Sequence, residues 1–163
     1  MIDEKIAGLI CSVAGKFDST GRHYMAACYW FRSKDANGFE LFAENEAKER
    51  WHYSGKLYRY VSDRGFQPII QAAPAIQSNG WAGVDSVVGV LKKHDESTCI
   101  VIDGMVKQLI SQGVGAAGVF LAGVQNHFQD DIREIRAVDD HVQTKNTMLE
   151  MVNERLYRDY SKK

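Results

Sequence analysis

Three features of the sequence predict an all-α architecture: an up-down four-helix bundle with one long crossover and a short fifth C-terminal helix. Apolar residues recur at three- and four-residue steps through four long segments, the period of helices that bury one stripe. Breakers are few, with Pro68 and Pro74 together in RGFQPIIQAAPAIQSNG and Gly113 and Gly115 forming the other soft spot. The joints between segments are short twice and long once, which makes two antiparallel pairs linked by a crossover. With 163 residues, 45% of them apolar, the chain is expected to form a single domain over 1–163 with its own core.

The first helix is expected on the stripe Ile6, Ile10, Val13, Phe17, Thr20, Tyr24, Ala27 and Phe31, closing near SKDANG. The second runs from about Gly38 to Arg64, with Phe39, Phe42, Glu46, Glu49, His52, Lys56 and Tyr60 read on one line and Gly65 as its C-terminal stop. The third starts near Trp81 and carries Val84, Val87, Leu91, Asp95, Thr98, Ile102, Met105 and Leu109. The fourth, from about Ala116, presents Phe120, Val124, His127 or Phe128, Asp131, Glu134 or Ile135, and Val138. Thr147 with Glu150 three residues later reads as a capping box that opens the fifth.

Charge narrows the function classes. The net charge is −1 with both signs interspersed, so no basic face calls for nucleic acid. Cys11, Cys28 and Cys99 are odd in number and far apart, which fits a reducing compartment better than a disulfide framework or a zinc site. MIDEKIAGLI carries acids where a secretory leader carries basic residues, and no apolar run reaches membrane-spanning length. The expectation is a soluble, cytoplasmic protein with no membrane partner.

The chemistry-bearing feature is Glu49 with His52, three apart, so that both side chains reach one metal ion from one helix face. On the expected seam they meet Asp95 of the third helix and Asp131 with Glu134 of the fourth. Buried carboxylates need a cation or hydrogen-bonded partners. Two readings satisfy that need: a metal held by acids from three helices, or a metal-free network in which Glu49, His52 and Tyr24 bond one another and Lys56 or Arg133 pairs the acids.

Four stretches carry a resemblance to a known family. HYMAACYWF resembles the first-helix YLxMxYYF of ferritins, AKERWHYSGKLYRYVSDRG their EExREHAxKLxxxxNxRG, NGWAGVDSVVGVL their DW-led third helix, and DDIREIRAVDDHV their EQVKxIxELxDHV. The resemblance runs in order through nearly the whole chain. It implies iron as the metal, a ferroxidase pair at Glu49 and His52, a supporting tyrosine at Tyr24, and further ligands at Asp95, Asp131 and Glu134. It also implies a homo-oligomeric cage of twenty-four subunits, or one assembled with an active partner subunit. The departures are equally specific. The first-helix glutamate that such centres carry seven residues before the tyrosine is Phe17 here, and Asp18 beside it is rotated by about a hundred degrees on a helix. The acids at the start of the family's fourth helix fall on Leu121 and Val124. The sequence therefore predicts an iron-binding or iron-storage subunit with weak or lost Fe(II) oxidation. The alternatives are a ferritin-fold di-metal enzyme handling oxygen or peroxide, and a metal-free structural cage subunit.

Overall fold

The computed structural model describes residues 2–144 and 149–163. Five helices follow in order: α1 Glu4–Arg32, α2 Asn37–Ser62, α3 Val84–Ser111, α4 Gly115–Thr144 and α5 Leu149–Tyr160. α1 packs along α2 and α3 along α4, α1 also meets α3, and α5 closes against α2 and α4. The segment 63–83 is the long crossover, as the joint lengths predict. No strand occurs among the described residues, and no described helix is long and apolar enough to cross a membrane.

The helix ends follow from local chemistry. Asp3 caps α1 by accepting from the Ile6 N–H at 2.8 Å. α2 stops at Ser62, and Gly65 takes the left-handed φ of 81° just beyond it. The start of α2 has no capping side chain of its own, because Ala36 stands at that position. Asn153 of α5 serves instead, its Oδ1 accepting from the N–H groups of Gly38 at 2.8 Å and Phe39 at 3.2 Å. A Cβ on Gly38 would lie 1.8 Å from the Asn153 carbonyl oxygen, so only glycine lets α5 come this close. α3 begins at Val84, not near Trp81. Trp81 instead lies ahead of the helix, with its ring edge against Trp30 at 6.4 Å between centroids. Thr147, the proposed cap of α5, lies outside the described residues.

The apolar core falls into two clusters. One joins Ile6 to Phe17 of α1 with Tyr53 to Val61 of α2, Ile102 to Leu109 of α3 and Ala117 to Ile132 of α4. The other joins Tyr24 to Phe31, Phe39 to Ala47, Val87 to Leu91, Ile135 to Val142 and two residues of α5, Val152 and Leu156. At the boundary every long helix turns polar inward: Thr20 and Tyr24 on α1, Glu46 and Arg50 on α2, Asp95 and Thr98 on α3, and Asp131 on α4. That boundary is where the chemistry lies.

Candidate functional site

Arg50 occupies the centre of the polar layer with no solvent exposure. A guanidinium can be buried only if its five N–H donors and its charge are answered. Nε donates to Asp95 Oδ1 at 3.1 Å and Nη2 to Asp95 Oδ2 at 2.7 Å, a two-pronged grip on one carboxylate. Nη2 also reaches the Tyr24 hydroxyl at 3.3 Å, while that hydroxyl donates to Asp95 Oδ2 at 2.6 Å. Nη1 contacts the carboxylate of Glu46 and the Glu46 carbonyl at 3.4 Å. Asp131 stands 3.8 Å from Nη1 and accepts from the Tyr53 hydroxyl at 2.6 Å. Below the ionic groups, Phe17 packs against Tyr53 and Phe128 with ring centroids at 5.1 and 5.0 Å.

The electrostatics follow from burial and from an excess of acids over cations. Burial raises the Glu46 carboxyl from 4.5 to about 7, although Arg50 pulls it down. Burial likewise raises Asp131 against the opposing pull of Arg50 and the Tyr53 hydrogen bond. Burial disfavours the charge of Arg50, but Asp95, Tyr24 and Glu46 hold its proton above the usual arginine range. The Tyr24 hydroxyl is raised well above 10, first by burial and then by Asp95. Tyr24 therefore acts as a neutral donor.

Three of the residues expected at the site, Tyr24, Asp95 and Asp131, do meet in this layer. The seam reading of α2 needs correction: Glu49 is half-buried and His52 is exposed, whereas Arg50 and Tyr53 face inward. The cause is helical phase. From Glu46, two successive three-residue steps to His52 turn about 600°, leaving the stripe by about 120°. A four and then a three, to Arg50 and Tyr53, turn about 400° and 700° and stay within about 40° and 20° of it. Glu134 is half-buried and faces Arg155 of α5 at 3.6 Å. The cation that answers the inward acids is Arg50, not Lys56 or Arg133. Arg133 pairs with Asp130 on the surface, and Lys56 lines a groove between α2 and α4. His94 is half-buried and its ring packs, tilted, against His23 at 3.6 Å between centroids. Leu121 and Val124 point into the bundle. Sequence reasoning missed Arg50, and the available signal was that its position, flanked by Glu46 and Tyr53 at four and three residues, keeps the apolar phase.

The layer does not fit a metal ion. Both oxygens of Asp95 are engaged by the guanidinium, Glu46 is engaged by its other edge, and a cation placed among them would meet a fixed positive charge at hydrogen-bond range. The position expected to supply a first-helix carboxylate is the fully buried ring of Phe17. Among the described residues no three or more His, Cys, Asp or Glu side chains are grouped to hold a metal.

No family model matches this chain, and no curated protein does. Its structure is similar to that of an Archaeoglobus fulgidus ferritin engineered into a closed form, with a TM-score of 0.88, 16% sequence identity, and 96% of each chain covered. What the two share is architecture, and the architecture of this chain is that of a ferritin-like four-helix bundle.

Proposed function

We propose that this chain is a ferritin-like assembly subunit whose central layer is a structural ion pair and not an Fe(II)-oxidising centre. The observation that carries this reading is Arg50, fully buried and bonded to Asp95 and Glu46 where a di-metal site would need free carboxylates. The same geometry counts against a di-metal enzyme acting on oxygen or peroxide, which draws on the same acids. Support for assembly is separate: Tyr29, Ile69 and Ile70 are 61%, 63% and 67% exposed, apolar surface of the kind that subunit contacts cover. Iron as cargo would then be oxidised by a co-assembled subunit with a complete carboxylate set.

The test is aerobic mixing with Fe(II), followed by stopped-flow absorbance, together with light scattering of the same sample. The expected result is a large homo-oligomer with no fast oxidation phase. Rapid oxidation of stoichiometric iron, lost on substitution of Asp95, would overturn the ion-pair reading. A monodisperse monomer would remove assembly and leave the ion pair standing.

A further inference from the structure

The face of α1 that meets α3 carries one half of a histidine pair that takes no part in the bonding of the central layer. His23 of α1 and His94 of α3 lie with ring centroids 3.6 Å apart and planes inclined by 31°, each half-buried, where the α1–α2 pair meets the α3–α4 pair. His23 Nδ1 lies 2.8 Å from the Ser19 carbonyl oxygen, which can only accept, so Nδ1 carries the hydrogen of the neutral ring. The seam is also bonded one turn along α3. Thr98 Oγ1 donates to the His94 carbonyl at 2.9 Å, so in its contact with Thr20 Oγ1 at 3.1 Å the donor is Thr20.

The second observation is the charge around the pair, which is basic. Burial, then His23, then Lys16 of α1 lower His94 from 6.5 to about 4. The acids nearest in sequence are engaged elsewhere: Asp18 accepts from Tyr58 of α2 at 3.1 Å, Asp95 is gripped by Arg50 of α2, and Glu96 pairs with Arg136 of α4 at 3.1 Å. Arg22 is turned to the crossover, where it donates to the Ala73 carbonyl at 3.1 Å, and Lys93 is exposed. The crossover brings no counter-charge, because residues 67 to 84 include no ionisable side chain.

We infer that the His23–His94 contact is an acid-sensitive latch on the α1–α3 seam, closed while His94 is neutral and released when that ring takes a proton. Two neutral imidazoles pack without a counter-ion, whereas an imidazolium between a second imidazole and Lys16 is partly desolvated with no carboxylate to answer it. Opening the seam returns His94 to water, where it takes the proton freely. The folded value is the depressed one, so the stability that the closed seam contributes is fully present above 6.5 and is lost as pH falls through about 4. The Arg50 layer responds with the opposite sign over this range, since its Glu46 is favoured in the neutral form. Acid therefore loosens the seam and spares the layer beneath it.

Amide hydrogen exchange of the full chain from pH 7.5 to 4.5, corrected for the intrinsic pH dependence of exchange, tests this. The opening equilibrium of the α1 and α3 segments around His23 and His94 should rise by more than about tenfold across that range, with the Arg50 stretch of α2 unmoved. His94→Phe should abolish the rise, and His94→Gln, which is smaller and equally unable to titrate, should do the same where the larger ring disturbs packing. His23→Phe and Lys16→Gln should each shrink the rise, because each removes a charge that opposes the proton; a role in packing alone would leave its pH dependence as in the parent. An equal rise in parent and His94→Phe overturns the latch, and so does a rise of one size in all five helices. A nuclear magnetic resonance titration of the His94 ring in the unmodified chain decides it without any variant: a midpoint well below 6.5 is expected, and an ordinary midpoint of 6.5 overturns the inference.

Discussion

The ionic half of the buried layer, Arg50 with Glu46 and Asp95, and its aromatic half, Phe17 with Tyr53 and Phe128, fill neighbouring space in the bundle by opposite means. The Arg50 guanidinium lies only 5.4 Å from the Phe128 ring centroid, so the two halves touch. The aromatic half gains from burial alone, and its rings sit tilted or edge-on, as their quadrupoles prefer. The ionic half gains only through mutual satisfaction, because each charge without its partner is costly in a medium that water has left. One half is a sum of contacts and the other is a closed set. Tyr53 joins them, its ring on Phe17 and its hydroxyl on Asp131.

The sharpest way to break this comparison is to remove one member from each half. Arg50→Met should cost about 3–5 kcal/mol, because Asp95 and Glu46 are left buried without their cation. Most of that loss should be recovered when Asp95→Leu and Glu46→Met are added, since an apolar set of similar volume replaces the ionic one. Phe17→Ala should cost about 3–5 kcal/mol as well, through lost transfer energy and a cavity. No second substitution that removes a polar partner should restore it. Urea unfolding of the single and combined variants reads both, and recovery of equal size in the two halves would erase the distinction.

Proton linkage gives a smaller, finer test. The carboxyl of Glu46 is raised in the folded chain from 4.5 to about 7, so the fold favours its neutral form. The stability contributed by that neutral form is fully present below pH 4.5 and is lost as pH rises through about 7. Glu46→Gln should remove this slope and make the protein more stable than the parent near pH 8, by on the order of 2–3 kcal/mol. Asp95 still pairs Arg50 in that variant, which is why the loss of the Glu46 charge is tolerated. Thermal melts from pH 4 to 8 measure it, and parallel pH profiles for parent and variant would mean that Glu46 stays ionised throughout.

Much of the architecture was legible before any coordinates. Phe17, Tyr24, Phe31, Phe39, Phe42, Leu91 and Ile102 are fully or almost fully buried at the places their spacing assigns, because a helical stripe is a local property of sequence. The lengths of the joints predicted the antiparallel pairs and the crossover over 63–83 for a similar reason, since short loops permit few geometries. The candidate site was legible only in part. Tyr24, Asp95 and Asp131 sit on stripes whose phase their apolar neighbours fix on both sides. On α2 the Glu-x-x-His spacing within EAKERWH points to Glu49 and His52, whereas the phase set by Phe42, Ala43 and Tyr53 around that charged run leads to Arg50.

The sequence by itself therefore determined the helices, their order and the residues of the two apolar clusters, because period and breakers act within a few residues of chain. Two things were decided only by the tertiary structure: that a guanidinium answers the inward acids, and that Asn153 caps a helix more than a hundred residues before it. Each depends on side chains from separate helices meeting in space, and on whether a buried charge or donor finds its partner there, which no local pattern along one helix records.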